Sequence, residues 1–171
     1  MLNDLKADPV FVAAALVSVV AGILTVSRKN PVYSAIWMLV CFLAFAVLYL
    51  KLNAPFLAAM HVLVYTGAIL VLFLFVIMLL NLKPEELGLE YGPRTRVAVA
   101  AVCAALFALL SYPMVKDPSL RRELPPTPPD FGGVSDVGSR LFVDYALPFE
   151  LISVLIMVAI FGGVVLAKRK L

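Results

Sequence analysis

The chain has 171 residues, 63% of them hydrophobic and only 15% charged, with a mean hydropathy of +1.03. A soluble globular domain is roughly 45–50% apolar and about a quarter charged, so the surplus exceeds what a core can take in and must face something other than water. The net charge of +3 is small; it gives no ground for a nucleic-acid partner, and the placement of the positive residues matters more than their sum.

Residues 1–8 mix Asp4 and Asp8 with Lys6 rather than forming a basic leader, and no small-x-small cleavage pattern follows. The first apolar stretch, 9–27, is therefore expected to be a retained helix. A hydrocarbon layer about 30 Å thick takes about 20 apolar residues as helix. Five segments meet or approach that length: 9–27, opened by Pro9 and closed by Arg28-Lys29-Asn30; 31–50, opened by Pro31 and stopped by Lys51; 54–82, stopped by Lys83-Pro84; 97–115, preceded by Arg94 and Arg96; and 147–167, closed by Lys168-Arg169-Lys170. Proline is tolerated in an opening turn because its missing N–H has no partner there. Backbone groups in lipid must bond within their own segment, so these unalternating runs predict helices, not a β-barrel. The expected fold is a single all-α integral membrane domain over 1–171 with five transmembrane helices.

One side carries Lys6, Lys51, Lys116, Arg121, Arg122 and Arg140, six cations spread over long segments. The other carries eight in much shorter ones: Arg28, Lys29, Lys83, Arg94, Arg96, Lys168, Arg169 and Lys170. The positive-inside rule then predicts the N-terminus outside and the C-terminus in the cytoplasm. The external loop 116–146 holds a proline-rich stretch, 124–130, that favours an extended path. Within it, 135–145 predicts a short interfacial helix with Ser135 as N-cap and Leu141, Phe142 and Tyr145 on one side. A loop of this length is expected to pack on a neighbouring subunit.

Cys41 and Cys103 sit alone within apolar runs and read as small packing residues. His61 is the only histidine, which leaves haem, copper or iron–sulfur ligation within the chain without a ligand set. Ionisable groups inside spans are expensive and draw attention for that reason. His61 lies in the third span with Tyr65 one turn on, where an imidazole beside a phenol can relay a proton or hold a water; the structural alternative is a histidine bonded to a neighbouring helix. Glu150 opens the last span, where a carboxylate handles protons or merely complements the helix dipole. The third segment's 29 residues make roughly 43 Å of straight helix, more than the hydrocarbon requires. Gly67, after Thr66, is either the site of a π-bulge or a close-packing position, and sequence physics leaves both open. Gly162-Gly163 reads as a packing notch. No phosphate loop, nucleotide fingerprint, catalytic triad or carboxylate pair is present.

The string His61-Val-Leu-Val-Tyr65-Thr66-Gly67-Ala-Ile-Leu70, with the Phe/Val/Met run to Asn81, resembles subunit J of the proton-pumping NADH:quinone oxidoreductase, respiratory complex I, counterpart of the mitochondrial sixth ND subunit. Asn30-Pro31-Val32 and the stretch Leu141-Phe-Val-Asp-Tyr145-Ala-Leu-Pro148-Phe-Glu150-Leu151 are similar to the same family, and the likeness covers nearly the whole chain. The resemblance implies a bacterial inner-membrane protein beside the quinone-site subunit, packed against small subunits A and K and near the antiporter-like subunits. NADH, FMN, the iron–sulfur clusters and quinone would belong to partner subunits, with no cofactor in this chain. It also implies a third helix that switches between α and π-bulged forms near Gly67, with Tyr65 at the bulge and Glu150 matching the family's Pro-Phe-Glu. Many bacterial members have a glutamate where this chain has His61. The expected role is a non-redox subunit helping to form and gate the proton path, with Tyr65, Gly67, His61 and Glu150 as its residues. A small independent transporter and a purely structural assembly subunit are the alternatives.

Overall fold

A computed structural model describes residues 8–80, 92–116, 128 and 130–168. Its described elements are all helical: α1 Pro9–Ser27, α2 Pro31–Lys51, α3 Pro55–Leu80, α4 Pro93–Lys116, α5 Val134–Val143 and α6 Ala146–Ala167. Four of them, α1, α2, α3 and α6, are long and apolar enough to cross a membrane. The uninterrupted apolar part of α4 is the shorter Val97–Tyr112. The expected end of the third span at 81–82, the stop Lys83-Pro84, the charges at Lys6, Arg121, Arg122, Arg169 and Lys170, and most of the proline-rich stretch lie outside the described residues.

The first two helices begin by one device. Asp8 accepts from the Val10 N–H at 2.9 Å and Asn30 from the Val32 N–H at 2.9 Å, each followed by proline at the first helical position. α1 and α2 form a close hairpin whose buried residues are small: Ala14, Ser18 and Ala21 on one side, Ala35, Cys41 and Ala44 on the other. Such residues let two backbones approach where lipid supplies no hydrophobic drive. Ser34 bonds the Thr25 carbonyl near the tight end. At the open end Lys51 Nζ lies 2.8 Å from Asp8 Oδ2.

α2 ends in a Schellman turn. Ala54 donates to the Tyr49 carbonyl at 3.0 Å and Asn53 to the Leu50 carbonyl at 3.2 Å, with Asn53 at φ 56. That turn delivers the chain into α3, which is composite: α-helical over Pro55–Met60, π-helical over His61–Ile69, and α-helical again over Leu70–Leu80. Ala54 makes no side-chain cap, and the Phe56 N–H of the first turn is bonded instead by the Gly132 carbonyl at 3.1 Å. Gly132 has φ +72, and a Cβ there would overlap the Asn53 oxygen and stand 2.9 Å from the Ala54 Cα, so only glycine fits.

Three expectations near α5 and α6 need correction. The N-cap of α5 is Gly133, not Ser135, because Asp136 at the third position supplies the acceptor and reaches back to the Gly132 N–H at 3.3 Å. Asp136 also holds Arg140 Nε at 2.8 Å, and Arg140 is its main reason for staying ionised below the ordinary carboxylate range. The helix ends at Val143, and Tyr145 is instead the N-cap of α6. Because α6 begins at Ala146, Glu150 falls beyond the first turn, where the helix dipole acts only weakly. α6 has no buried residue and is exposed from Leu147 to its end. Nothing stands within 4 Å of where a Cβ would lie on Gly162 or Gly163, so the notch faces nothing among the described residues.

Candidate functional site

Where α2 and α3 diverge, a cleft of about 440 Å³ opens between Phe42, Phe45 and Tyr49 of α2 and Leu57, Met60, His61, Val64 and Tyr65 of α3. Phe42, Phe45 and Tyr49 recur at three- and four-residue spacing, which places them on one face of α2. His61 is the centre of this group. Its ring stacks on Tyr65 at 4.8 Å between centroids and 25° between planes. Three edge contacts complete the enclosure: Phe42 at 5.3 Å, Tyr49 at 5.4 Å and Phe45 at 6.2 Å. His61 is only 9% exposed, whereas Tyr65 is 49% exposed. The imidazole is thus the inner member of the pair and the phenol the outer one.

This part of α3 is π-helical. In a π-helix the N–H bonds the carbonyl five residues back rather than four, and the Leu70 N–H does so, to the Tyr65 carbonyl. His61 and Tyr65, four apart, stack face to face within this segment. Gly67 lies in the same segment. A Cβ there would sit 3.3 Å from the Val62 oxygen, again five residues back, and no atom of another helix comes within 4 Å. Among the described residues, then, Gly67 is tight against its own turn and not against a neighbouring helix.

Two buried polar atoms in this segment have no partner, His61 Nε2 and Thr66 Oγ1. A buried donor or acceptor left unpaired costs about 1–3 kcal/mol, so both are open to a water or to a polar group from outside the chain. The cleft is roomy enough for several waters at about 30 Å³ each. Among the described residues no group of three or more His, Cys, Asp or Glu is arranged to hold a metal. An imidazole that donates and accepts, with a phenol against it and its own Nε2 unfilled, can pass a proton.

The structure brings His61 and Tyr65 together and puts Gly67 in the same helical segment. Glu150 does not join them: it is exposed on α6, where the Ser153 hydroxyl donates to its backbone carbonyl at 2.6 Å, and it does not line the cleft. The aromatic wall of α2 adds to the site, whereas the unpaired Thr66 is buried in the same helical segment and does not line the cleft. The spacing of Phe42, Phe45 and Tyr49 was the available signal, but α2 is apolar on every side and no face stands out.

Residues 21–166 match the family of NADH-ubiquinone/plastoquinone oxidoreductase chain 6. The chain is 41% identical over 162 residues to NAD(P)H-quinone oxidoreductase chain 6 of Synechocystis sp., covering 94% of this chain and 80% of the relative. It is 39% identical over 160 residues to the protein of the same description from Leptolyngbya boryana, covering 94% and 79%. Against NADH-quinone oxidoreductase subunit J of Rhodobacter capsulatus it is 31% identical over 162 residues, covering 93% and 80%.

Proposed function

The chain belongs to the NADH-ubiquinone/plastoquinone oxidoreductase chain 6 family, and from that membership we propose that it is a membrane-arm subunit that forms and gates part of a proton path. The observation that carries this reading is the π segment His61–Ile69, which holds the buried His61–Tyr65 stack and two unpaired polar atoms. Interconversion of this segment between π and α would make and break a hydrated connection through the α2–α3 cleft. Electron transfer and quinone reduction would take place in partner subunits. The relatives' names differ in the electron donor, NAD(P)H or NADH, and this chain would hold no donor, flavin, iron–sulfur cluster or quinone of its own.

The same reading has the chain crossing a bacterial inner membrane five times, α4 included, with an external N-terminus and a cytoplasmic C-terminus. Partner helices, among them the quinone-site subunit, the two small subunits and the antiporter-like subunits, would cover the exposed lengths of α3 and α6. Glu150 would serve at a subunit contact or a branch of the path rather than beside His61.

Tyr65→Phe tests the proposal in inside-out membranes carrying the assembled enzyme. The ring and its stack on His61 stay, and only the hydroxyl goes. Quinone reduction with an uncoupler present is expected to persist while protons moved per quinone reduced fall. Unchanged stoichiometry for both Tyr65→Phe and His61→Phe would leave the relay without support.

A further inference from the structure

The junction of α1 and α2 holds a second cleft, of about 520 Å³, lined by Ser27, Arg28, Lys29, Asn30, Tyr33 and Trp37. Three residues link the two helices here, so both cations are held at the point where two apolar spans leave the hydrocarbon. Two polar groups of this lining are already engaged within the chain: the Ser27 hydroxyl donates to the Ile23 carbonyl at 2.7 Å, and Asn30 Oδ1 accepts from the Val32 N–H at 2.9 Å. The donors remain. Among the described residues, no hydrogen-bond or ion-pair partner is formed by the Arg28 guanidinium, the Lys29 ammonium, the Tyr33 hydroxyl or the Trp37 indole N–H.

Depth decides what fits. At about 1.5 Å per residue, Tyr33 lies about 3 Å and Trp37 about 9 Å inward from Pro31 along α2. The headgroup region of one leaflet is about 5–8 Å thick. A ligand bound to the cations would therefore pass Tyr33 at headgroup level and meet Trp37 where acyl chains begin. Tyrosine and tryptophan favour that boundary. A free phosphate would use only the upper part of such a ladder.

We propose that this cleft binds the headgroup of an anionic phospholipid, its phosphate against Arg28 and Lys29 and its first acyl carbons against Trp37. Because Trp37 is the only tryptophan in the chain, its emission reports the site directly. The full chain is reconstituted in phosphatidylcholine vesicles and titrated with phosphatidylglycerol or phosphatidylcholine brominated near the head of the acyl chain. With about 1 kcal/mol for each basic residue near an anionic lipid, the brominated phosphatidylglycerol is expected to quench Trp37 at a roughly 30-fold lower mole fraction. Arg28→Gln and Lys29→Gln should each reduce that preference about fivefold. Arg28→Lys and Lys168→Gln should keep it. Equal quenching by the two lipids overturns the proposal, as does a preference that survives the double glutamine variant. Loss of the preference on adding excess inorganic phosphate would assign the cleft to a free anion and overturn it as well.

Discussion

Gly67→Ala tests the π segment at the one position where its geometry and a side chain compete. The added Cβ would stand 3.3 Å from the Val62 oxygen, a few tenths of an ångström too close. Relieving it by bending the backbone about 7° costs about 1 kcal/mol. In an α register the Gly67 N–H would turn to the carbonyl of Leu63, and the contact with Val62 would lapse. Alanine is also the best helix former, about 1 kcal/mol better than glycine in a helix interior. The clash alone shifts the balance from π to α about fivefold, and roughly thirtyfold if the propensity gain is realised only in the α form. Solid-state NMR of the full chain in lipid, with carbonyl labels at Val62 and Leu63, reads the register directly. Inside-out membranes with the assembled enzyme read protons moved per quinone reduced, which is expected to fall. If both the Val62 carbonyl shift and the stoichiometry are unchanged, Gly67 does not control the segment.

His61→Leu should move stability and function in opposite directions. Removing the unpaired Nε2 raises the isolated chain's resistance to dodecyl sulfate unfolding by about 1–3 kcal/mol, while proton pumping in the assembled enzyme falls; a variant no more resistant than the parent, or one that pumps as well, refutes it. Gly132→Ala drives a Cβ into the Asn53 oxygen at a φ of +72, and is expected to lower the same unfolding midpoint by about 1–3 kcal/mol and to release the Phe56 amide to hydrogen exchange. Asp8 is held below the ordinary carboxylate range first by the hydrogen bond from Lys51 and then by the Val10 N–H. A depressed pKa stabilises the fold above the unfolded-state value, and that contribution is lost as pH falls through the folded one. The α1–α2 hairpin should therefore loosen only below about pH 4, and Lys51→Met should flatten that acid limb of the unfolding midpoint.

The helix ends were the most legible part of the sequence, because their causes are local. Asp8-Pro9 and Asn30-Pro31 each carry a cap and a proline in adjacent positions, and the observed helices begin there. Faces were not legible. α1, α2 and α3 are apolar all round, so no periodicity singles out Ala14, Ala21 or Ala35 as buried, and the packing of small residues decides instead. His61 and Tyr65 could be paired from their spacing, but the wall of Phe42, Phe45 and Tyr49 depends on how α2 returns through the Asn53 turn. The start of α5 is hidden from the sequence for a related reason. Ser135 is a good N-cap in isolation, yet Asp136 one residue later binds both Gly132 and Arg140, and the docking of Gly132 on Asn53 fixes where the helix starts.

The two ends of α3 are not held alike, and that bears on how the proposed interconversion would run. Passing from π to α around His61–Ile69 requires one half of the helix to turn by about 100° and shift about 1.5 Å relative to the other. The first half is tied down by Pro55, by the Phe56 bond to Gly132 and by the aromatic enclosure of His61. The half Leu70–Leu80 is mostly exposed, with Leu72 at 65% and Leu79 at 80%. Its one firm anchor is Leu70, the only large side chain fully buried among the described residues, at 1%. Turning that half would withdraw Leu70 from its seat and lose the packing contacts it makes there, a cost that a neighbouring subunit's rearrangement can supply. Leu70→Ala removes the anchor without touching the first half. It should move the Val62 carbonyl shift in the same direction as Gly67→Ala and leave hydrogen exchange at Phe56 unchanged. Faster exchange at Phe56 with a fixed Val62 shift would mean that the first half moves, and the clamp at Gly132 would then be the element that yields.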